Sequence, residues 1–190
     1  MYWSVNNDGK RFLDSFYVTF HLIYTLHPLT FMLYTTYQQI PIETSAFEVR
    51  RDTNTGFNGL FSNRSFDAGE TMETFKVKSL RNAPTYLTVQ IDETTHFEFD
   101  PEFLQYMNHH CDPNVYLNLE ELSVVALKPI EAGDELTFFY PSTEWKMDRP
   151  FQCQCGSDNC FGTISGAHTI SAEKLSNYKL SPFIQQKLTN

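Results

Sequence analysis

Asn108-His109-His110-Cys111-Asp112-Pro113-Asn114 packs amides, imidazoles, a thiol, a carboxylate and a proline into one short stretch. Two blocks follow downstream: Gly133-Asp134-Glu135-Leu136-Thr137-Phe138-Phe139-Tyr140, then Cys153-Gln154-Cys155 with Cys160. Cys111 and these three tail residues are all four cysteines of the 190-residue chain. As disulfides they allow three connectivities. As metal ligands they are just enough for one tetrahedral ion, and Zn²⁺ is readily held by four thiolates at about 2.3 Å with no position left open. The Cys-x-Cys pair, the x4 step to Cys160 and a fourth thiol on a distant loop favour the metal. His109 and His110 are alternative ligands that an all-thiolate set does not need. Such an ion would pin residues 150–166 against the Asn-His loop.

Composition sets the class. A hydrophobic share of 41% and a charged share of 19% describe a globular chain long enough for one real core plus short appendages. The aromatic share of 15%, mostly Phe and Tyr, suits strands and the walls of narrow apolar channels. A net charge of −9 argues against nucleic acid, whose phosphates call for Lys and Arg. It favours a basic partner such as a Lys/Arg-rich peptide, or serves solubility alone. Four cysteines without a recognisable cleavable signal suggest a reducing compartment.

Along the chain, residues 15–42 carry no formal charge. Their alternation (Phe16, Val18, Phe20, Leu22, Tyr24, Leu26) fits a period of two better than a helix, and His21, His27 and Pro28 interrupt the apolar run. The reading is an extra strand or a poorly ordered extension. A membrane anchor is the alternative, since about 20 mostly apolar residues suffice to span. Strands are predicted over 47–50, beyond the Gly56–Gly59 turn, over 85–91 and over 135–140. A hairpin is predicted from 115–119 and 122–127 around Glu120-Glu121. A short helix over 101–107 starts at Asp100-Pro101, an Asp cap followed by Pro at the first helical position. Others are expected from 142, over 171–178 and over 182–188.

The three blocks, in order, resemble the Asn-His-x-Cys-x-Pro-Asn, Glu-Leu-Thr-Phe-x-Tyr and post-SET Cys-x-Cys-x4-Cys signatures of the SET-domain protein-lysine methyltransferases. The resemblance runs over residues 46–166 and implies a mostly β fold of small SET-type (β-clip) sheets with short helices. It also implies a C-terminal segment threaded as a pseudoknot, one of the exceptions to unknotted connections. The implied layout is a single domain: an N-terminal extension at 1–45, the SET domain at 46–141, a post-SET zinc segment at 142–166 and a helical tail at 167–190. The implied cofactors are S-adenosylmethionine and Zn²⁺. Gly59, Leu60, Tyr106, Asn108 and His109 would hold the first, and Cys111, Cys153, Cys155 and Cys160 the second. Tyr86, Phe138 and Phe139 would line the substrate channel, and Tyr140 would be catalytic. The implied partner is a lysine-containing protein or peptide, histone or not, met by an intracellular monomer, nuclear or cytoplasmic, with no nucleic acid and no membrane.

Departures from the family pattern are visible. Gly56-Phe57-Asn58-Gly59 is one residue wider than Gly-x-Gly, which leaves Gly56 open to a plain hairpin-turn reading. Phe75-Lys76-Val77-Lys78 stands where Tyr-x-Gly-Glu is usual, Gln105-Tyr106 replaces Arg-Phe, and Phe139 replaces Asp. Phe138 sits where a tyrosine would restrict the product to monomethyllysine, so di- or trimethylation is expected. The widened turn keeps a second reading open, a catalytically idle SET fold acting as an interaction module. A Cys/His hydrolase built on Cys111 is disfavoured, because no Gly-rich oxyanion loop accompanies that thiol.

Overall fold

Strand side chains alternate between faces, and the strand Phe47–Asp52 (β4) obeys this cleanly: Phe47 and Val49 are buried while Glu48 and Arg50 are half-exposed. The computed structural model describes Ser4–Val5, Arg11–Phe12 and residues 37–189. Met1–Tyr34 and Thr35–Asn190 form two units. In the first, Ser4–Val5 (β1) pairs antiparallel with Arg11–Phe12 (β2). The strand expected over residues 16–26 lies outside the described residues.

The second unit is built of small sheets. Tyr37–Ile40 (β3), β4 and Asn58–Ser62 (β5) form an antiparallel three-stranded sheet, so the pairing begins ahead of residue 46. Thr71–Thr74 (β6) pairs with Ser123–Ala126 (β12), which pairs with Val115–Asn118 (β11). The β11–β12 hairpin is the predicted one. Lys76–Arg81 (β7) and Val89–Gln90 (β8) flank His96–Asp100 (β9). Asn108–His109 (β10) runs parallel to Thr137–Phe138 (β13), and Phe151–Gln152 (β14) pairs with Thr163–Ile164 (β15).

Helices are few and short. A 3-10 turn at Glu102–Tyr106 follows Pro101, which is the cap residue itself, so the expected Asp100 side-chain cap is not made. Another 3-10 turn, Tyr140–Ser142, ends the strand that sequence had run on to Tyr140. Ser171 Oγ accepts from Lys174 N at 3.4 Å to open Ala172–Leu175 (α1), and Ser181 Oγ accepts from Ile184 N at 3.3 Å in the first turn of Pro182–Thr189 (α2). Among the described residues no helix is long and apolar enough to cross a membrane.

Two apolar clusters result. The larger gathers Phe47, Leu60, Phe97 and Phe138 from the strands with Leu104, Met107 and Leu136 from the segments between them; the smaller packs Leu175, Phe183 and Ile184 of the C-terminal helices around Phe139. The β13 alternation divides them, since Phe138 belongs to the first and Phe139 to the second. Where the tail returns, Gly166 (φ +115°) passes so close to Trp145 that an added Cβ would lie 2.5 Å from its carbonyl oxygen. Hydrogen bonds from Ala167 N to Glu144 O (2.8 Å) and His168 N to Trp145 O (3.1 Å) fix that crossing.

Candidate active site and metal centre

β10 delivers the Asn-His stretch beside β13, and the two asparagines that bracket it divide the labour. Asn114 repairs backbone: Nδ2 donates to Glu135 O at 2.8 Å, and Oδ1 accepts from Thr137 N at 2.8 Å. Asn108 works sideways, its Nδ2 donating to Asn58 O (3.0 Å) and to a Glu135 carboxylate oxygen (2.7 Å). Asn108 Oδ1 carries no hydrogen bond among the described residues. Gly59 stands directly against this pair. A Cβ there would lie 2.6 Å from Glu135 Oε1, 2.9 Å from Phe61 Cε2 and 3.3 Å from Asn108 Nδ2, so only glycine fits. Gly56 has φ +76° and closes the hairpin through Gly56 N to Asp52 O at 2.8 Å, the plain turn reading.

Tyr140 follows β13. Its hydroxyl donates to Met107 O at 3.1 Å, and its ring centroid lies 4.8 Å from that of Phe138. Burial, reinforced by the negative charges of Glu135 and Glu144, pushes the phenol well above its ordinary range, so it stays neutral. His109 packs edge-on to Tyr140 at 5.2 Å, and burial with the neighbouring His110 brings its imidazole down to about 4. It is neutral at pH 7. Phe151, from β14, closes over both rings at 5.6 Å from His109 and 6.1 Å from Tyr140.

The four cysteines meet. Their Sγ atoms all lie within 4.8 Å of one another, with Cys111 to Cys153 at 3.9 Å, and none is in a disulfide. A thiolate tetrahedron around zinc has edges of about 3.8 Å, so a contraction of about 1 Å at most completes it. The donor set therefore fits a structural zinc ion. The thiols titrate unequally. Burial drives Cys111 strongly up and Cys153 to about 11. Burial also acts to raise Cys155, but hydrogen bonds from the Cys111 and Ser157 backbone and from its cysteine neighbours outweigh it and bring it to about 6. A central cation removes the mutual repulsion of the thiolates. His110 is not a ligand here. Its Nδ1 accepts from Asp112 N (2.9 Å), so Nε2–H donates to Cys155 O (3.0 Å) and staples loop to tail.

Two expected channel residues lie elsewhere. Phe139, 1% exposed, faces away from Tyr140 and stacks on Tyr178 at 3.8 Å between centroids, because successive residues of an extended segment point oppositely. Tyr86 is 80% exposed, in a turn; the strand predicted over 85–91 shrinks to β8 because Asn82-Ala83-Pro84 and the Thr85–Thr88 bonds hold the chain in turns. The side chain of Leu60 is wholly buried in the main core, and Tyr106 packs against that core at the end of its 3-10 turn.

Sequence reasoning missed Glu135, Glu144 and Phe151. Glu144 is half-buried against Gln90, whose N–H donates to its Oε1 at 2.9 Å, while Gln90 Oε1 accepts from Trp145 N at 2.9 Å. Burial lifts the Glu144 carboxyl to about 7 against the hydrogen bonds from Gln90 and Thr143. The proximity of Phe151 to the first tail cysteine was the available signal for its role.

The description "SET domain" matches residues 36–141, more than half of the chain. The chain belongs to the SET-domain family. This SET domain is 43% identical over 106 residues to the methyltransferase flvH of Aspergillus flavus, covering 55% of this chain and 59% of that protein. It is 40% identical over 80 residues to an H3 lysine-36-specific histone-lysine N-methyltransferase of Aspergillus oryzae, covering 38% of this chain and 8% of that protein. Among solved structures, the methyltransferase domain of human SETMAR superposes with a TM-score of 0.46 at 16% identity, covering 63% of this chain and 58% of that one. The SET domain thus spans a little over half of the first of these relatives and a small part of the second.

Proposed function

We propose that this chain transfers a methyl group from S-adenosylmethionine to the ε-amine of a lysine in a protein substrate. The observation that carries the reading is Tyr140: a neutral, partly buried phenol whose proton is committed to Met107 O at 3.1 Å, beside the apolar ring of Phe138. With its proton so directed, the phenol oxygen offers lone pairs rather than a donor. It accepts from the amine N–H and leaves the nitrogen lone pair free to attack, a gain by positioning.

The cofactor supplies a methyl on a cationic sulfonium carbon–sulfur bond. The free Oδ1 of Asn108, beside Gly59, would take its amino-acid end, with Leu60, Tyr106 and the His109 backbone on that side. The amine must be neutral. A free lysine, pKa near 10.4, is neutral about once in 2,500 at pH 7, a penalty of about 4–5 kcal/mol. An aromatic, water-excluding channel lowers that penalty by disfavouring the ammonium form. Phe138 brings no hydroxyl to hold a water against the amine, which leaves room for di- and trimethyllysine. The acidic chain, net −9, favours a Lys/Arg-rich protein or peptide, histone or otherwise, over nucleic acid. The histone-lysine methyltransferases among the relatives support a protein substrate and an intracellular setting.

The test is Tyr140→Phe, assayed by cofactor calorimetry and by methyl transfer to a peptide array. Cofactor affinity should persist while turnover falls by at least about a hundredfold. Unchanged turnover would move the catalytic role off Tyr140.

A further inference from the structure

His109 occupies a position that cofactor contacts through its backbone leave unexplained: its ring lies between the metal centre and the catalytic tyrosine. Nδ1 is 3.2 Å from Tyr140 N, a backbone amide that can only donate. Nδ1 therefore carries a lone pair, and the imidazole proton sits on Nε2. That N–H faces Cys111 Sγ at 3.4 Å. A neutral imidazole has one donor and one acceptor, and both are committed here. His110, next in sequence, bonds only backbone, at Asp112 N and Cys155 O.

We propose that His109 is a positioning residue that ties the placement of Tyr140 to the Cys111 sulfur, so that metal capture at the four cysteines sets the catalytic tyrosine. This rests on the reading of Tyr140 given above. The physical link is short. A metal-held thiolate is a much better hydrogen-bond acceptor than a thiol. It anchors the Nε2 side of the ring, while Nδ1 grips the Tyr140 backbone just where β13 gives way to the 3-10 turn. From there the Tyr140 side chain reaches back to Met107 O. Phe151 adds weight from the tail side by packing on the His109 ring. Without the metal to hold Cys111 in place, the ring loses one of its two anchors, and the Tyr140 N–H loses a fixed acceptor.

The experiment splits the relay with two substitutions and reads the tautomer directly. In zinc-loaded protein labelled with ¹⁵N-histidine, long-range proton–nitrogen spectra should show His109 protonated at Nε2 alone, and removal of zinc by a chelator should shift and broaden the His109 ring signals as one anchor is lost. His109→Gln places an amide N–H near the sulfur but has no polar atom at the position of Nδ1. It should retain zinc, keep cofactor affinity and lose about tenfold or more in kcat. His109→Asn keeps an acceptor at the position of Nδ1 and places nothing near the sulfur. It should bind zinc about 10–100-fold more weakly in competition with a chromophoric chelator. A ring protonated at Nδ1 in the zinc-loaded protein, or a Gln variant with wild-type kcat, overturns the proposal. Tyr140→Phe separates the two claims. If it alone keeps full turnover, the catalytic reading has failed although the tautomer result stands. If it abolishes turnover while both His109 variants turn over normally, the relay has failed and the catalytic reading stands.

Discussion

Replacing Glu144 by glutamine should remove a pH-dependent loss of stability. Burial raises this carboxyl to about 7 from an ordinary 4.5, so the folded chain holds a proton that the unfolded chain releases earlier. For a group raised on folding, stability is fully present below the unfolded pKa and declines as pH climbs to the folded one. The gap corresponds to about 3 kcal/mol over the whole window, of which about 1 kcal/mol falls between about pH 6 and pH 8. Glutamine is neutral throughout and keeps an acceptor for Gln90 N, now 2.9 Å from Glu144 Oε1. Urea denaturation of zinc-loaded wild type and Glu144→Gln at both pH values isolates the effect, because other titrations are common to both proteins. The wild type should lose about 1 kcal/mol more than the variant on going to pH 8, about 2–4 °C in a melt. Parallel losses in the two proteins would mean that the carboxylate is solvated, and the burial argument would be wrong.

Gly59→Ala should weaken cofactor binding by about tenfold or more and destabilise the fold by about 1–3 kcal/mol through overpacking, since its Cβ would press on Glu135, Phe61 and Asn108; calorimetry and a melt check both. Tyr178→Phe removes the hydroxyl that donates to Cys111 O at 2.7 Å but keeps the ring on Phe139, so a loss of about 1 kcal/mol is expected. A variant as stable as wild type would show that bond to be inconsequential. Stripping zinc with a chelator should speed proteolysis within residues 150–166 and reduce cofactor affinity; a metal-free protein that binds cofactor normally would refute the closure. Phe138→Tyr should restrict product to monomethyllysine in mass spectra, and continued di- or trimethylation would show that residue 138 does not set the count.

Local chemistry was legible where it depends on residue type and short spacing. The cysteine set read correctly as one cluster because four thiols have few alternatives in so short a chain, and the β11–β12 hairpin read correctly because two apolar runs flank Glu120-Glu121. The turn glycine and the close-approach glycine could be told apart only in three dimensions, where Gly56 takes a positive φ and Gly59 meets Asn108 and Glu135. Phe139 was misplaced by motif position, although strand alternation alone puts residues 138 and 140 on one face and 139 on the other. Tyr86 was misplaced because a run rich in Thr, Tyr and Val has strand propensity, and propensity yields to turn bonds at Thr85 and Thr88. The partners of the Glu144 and His109 side chains could not have been assigned from sequence. What matters for each is a partner across the fold, 54 residues away at Gln90 for one and 31 residues away at Tyr140 for the other.

The charges around Tyr140 set two requirements against each other. Glu135 and Glu144 both hold the phenol in its neutral form, and the same negative field attracts a cationic lysine and a cationic sulfonium donor. Yet that field also favours the ammonium over the amine, the opposite of what methyl transfer needs. Desolvation by Phe138, Phe151 and the wall of the larger core works the other way. The Glu144 carboxyl, lifted to about 7, moderates the conflict, since near neutral pH it is ionised only part of the time. Glu135 has its charge partly spent on Asn108 Nδ2. One carboxylate is thus tied to Asn108 and the other is partly protonated near neutral pH, which limits how strongly the pair would hold a proton on a lysine brought to Tyr140.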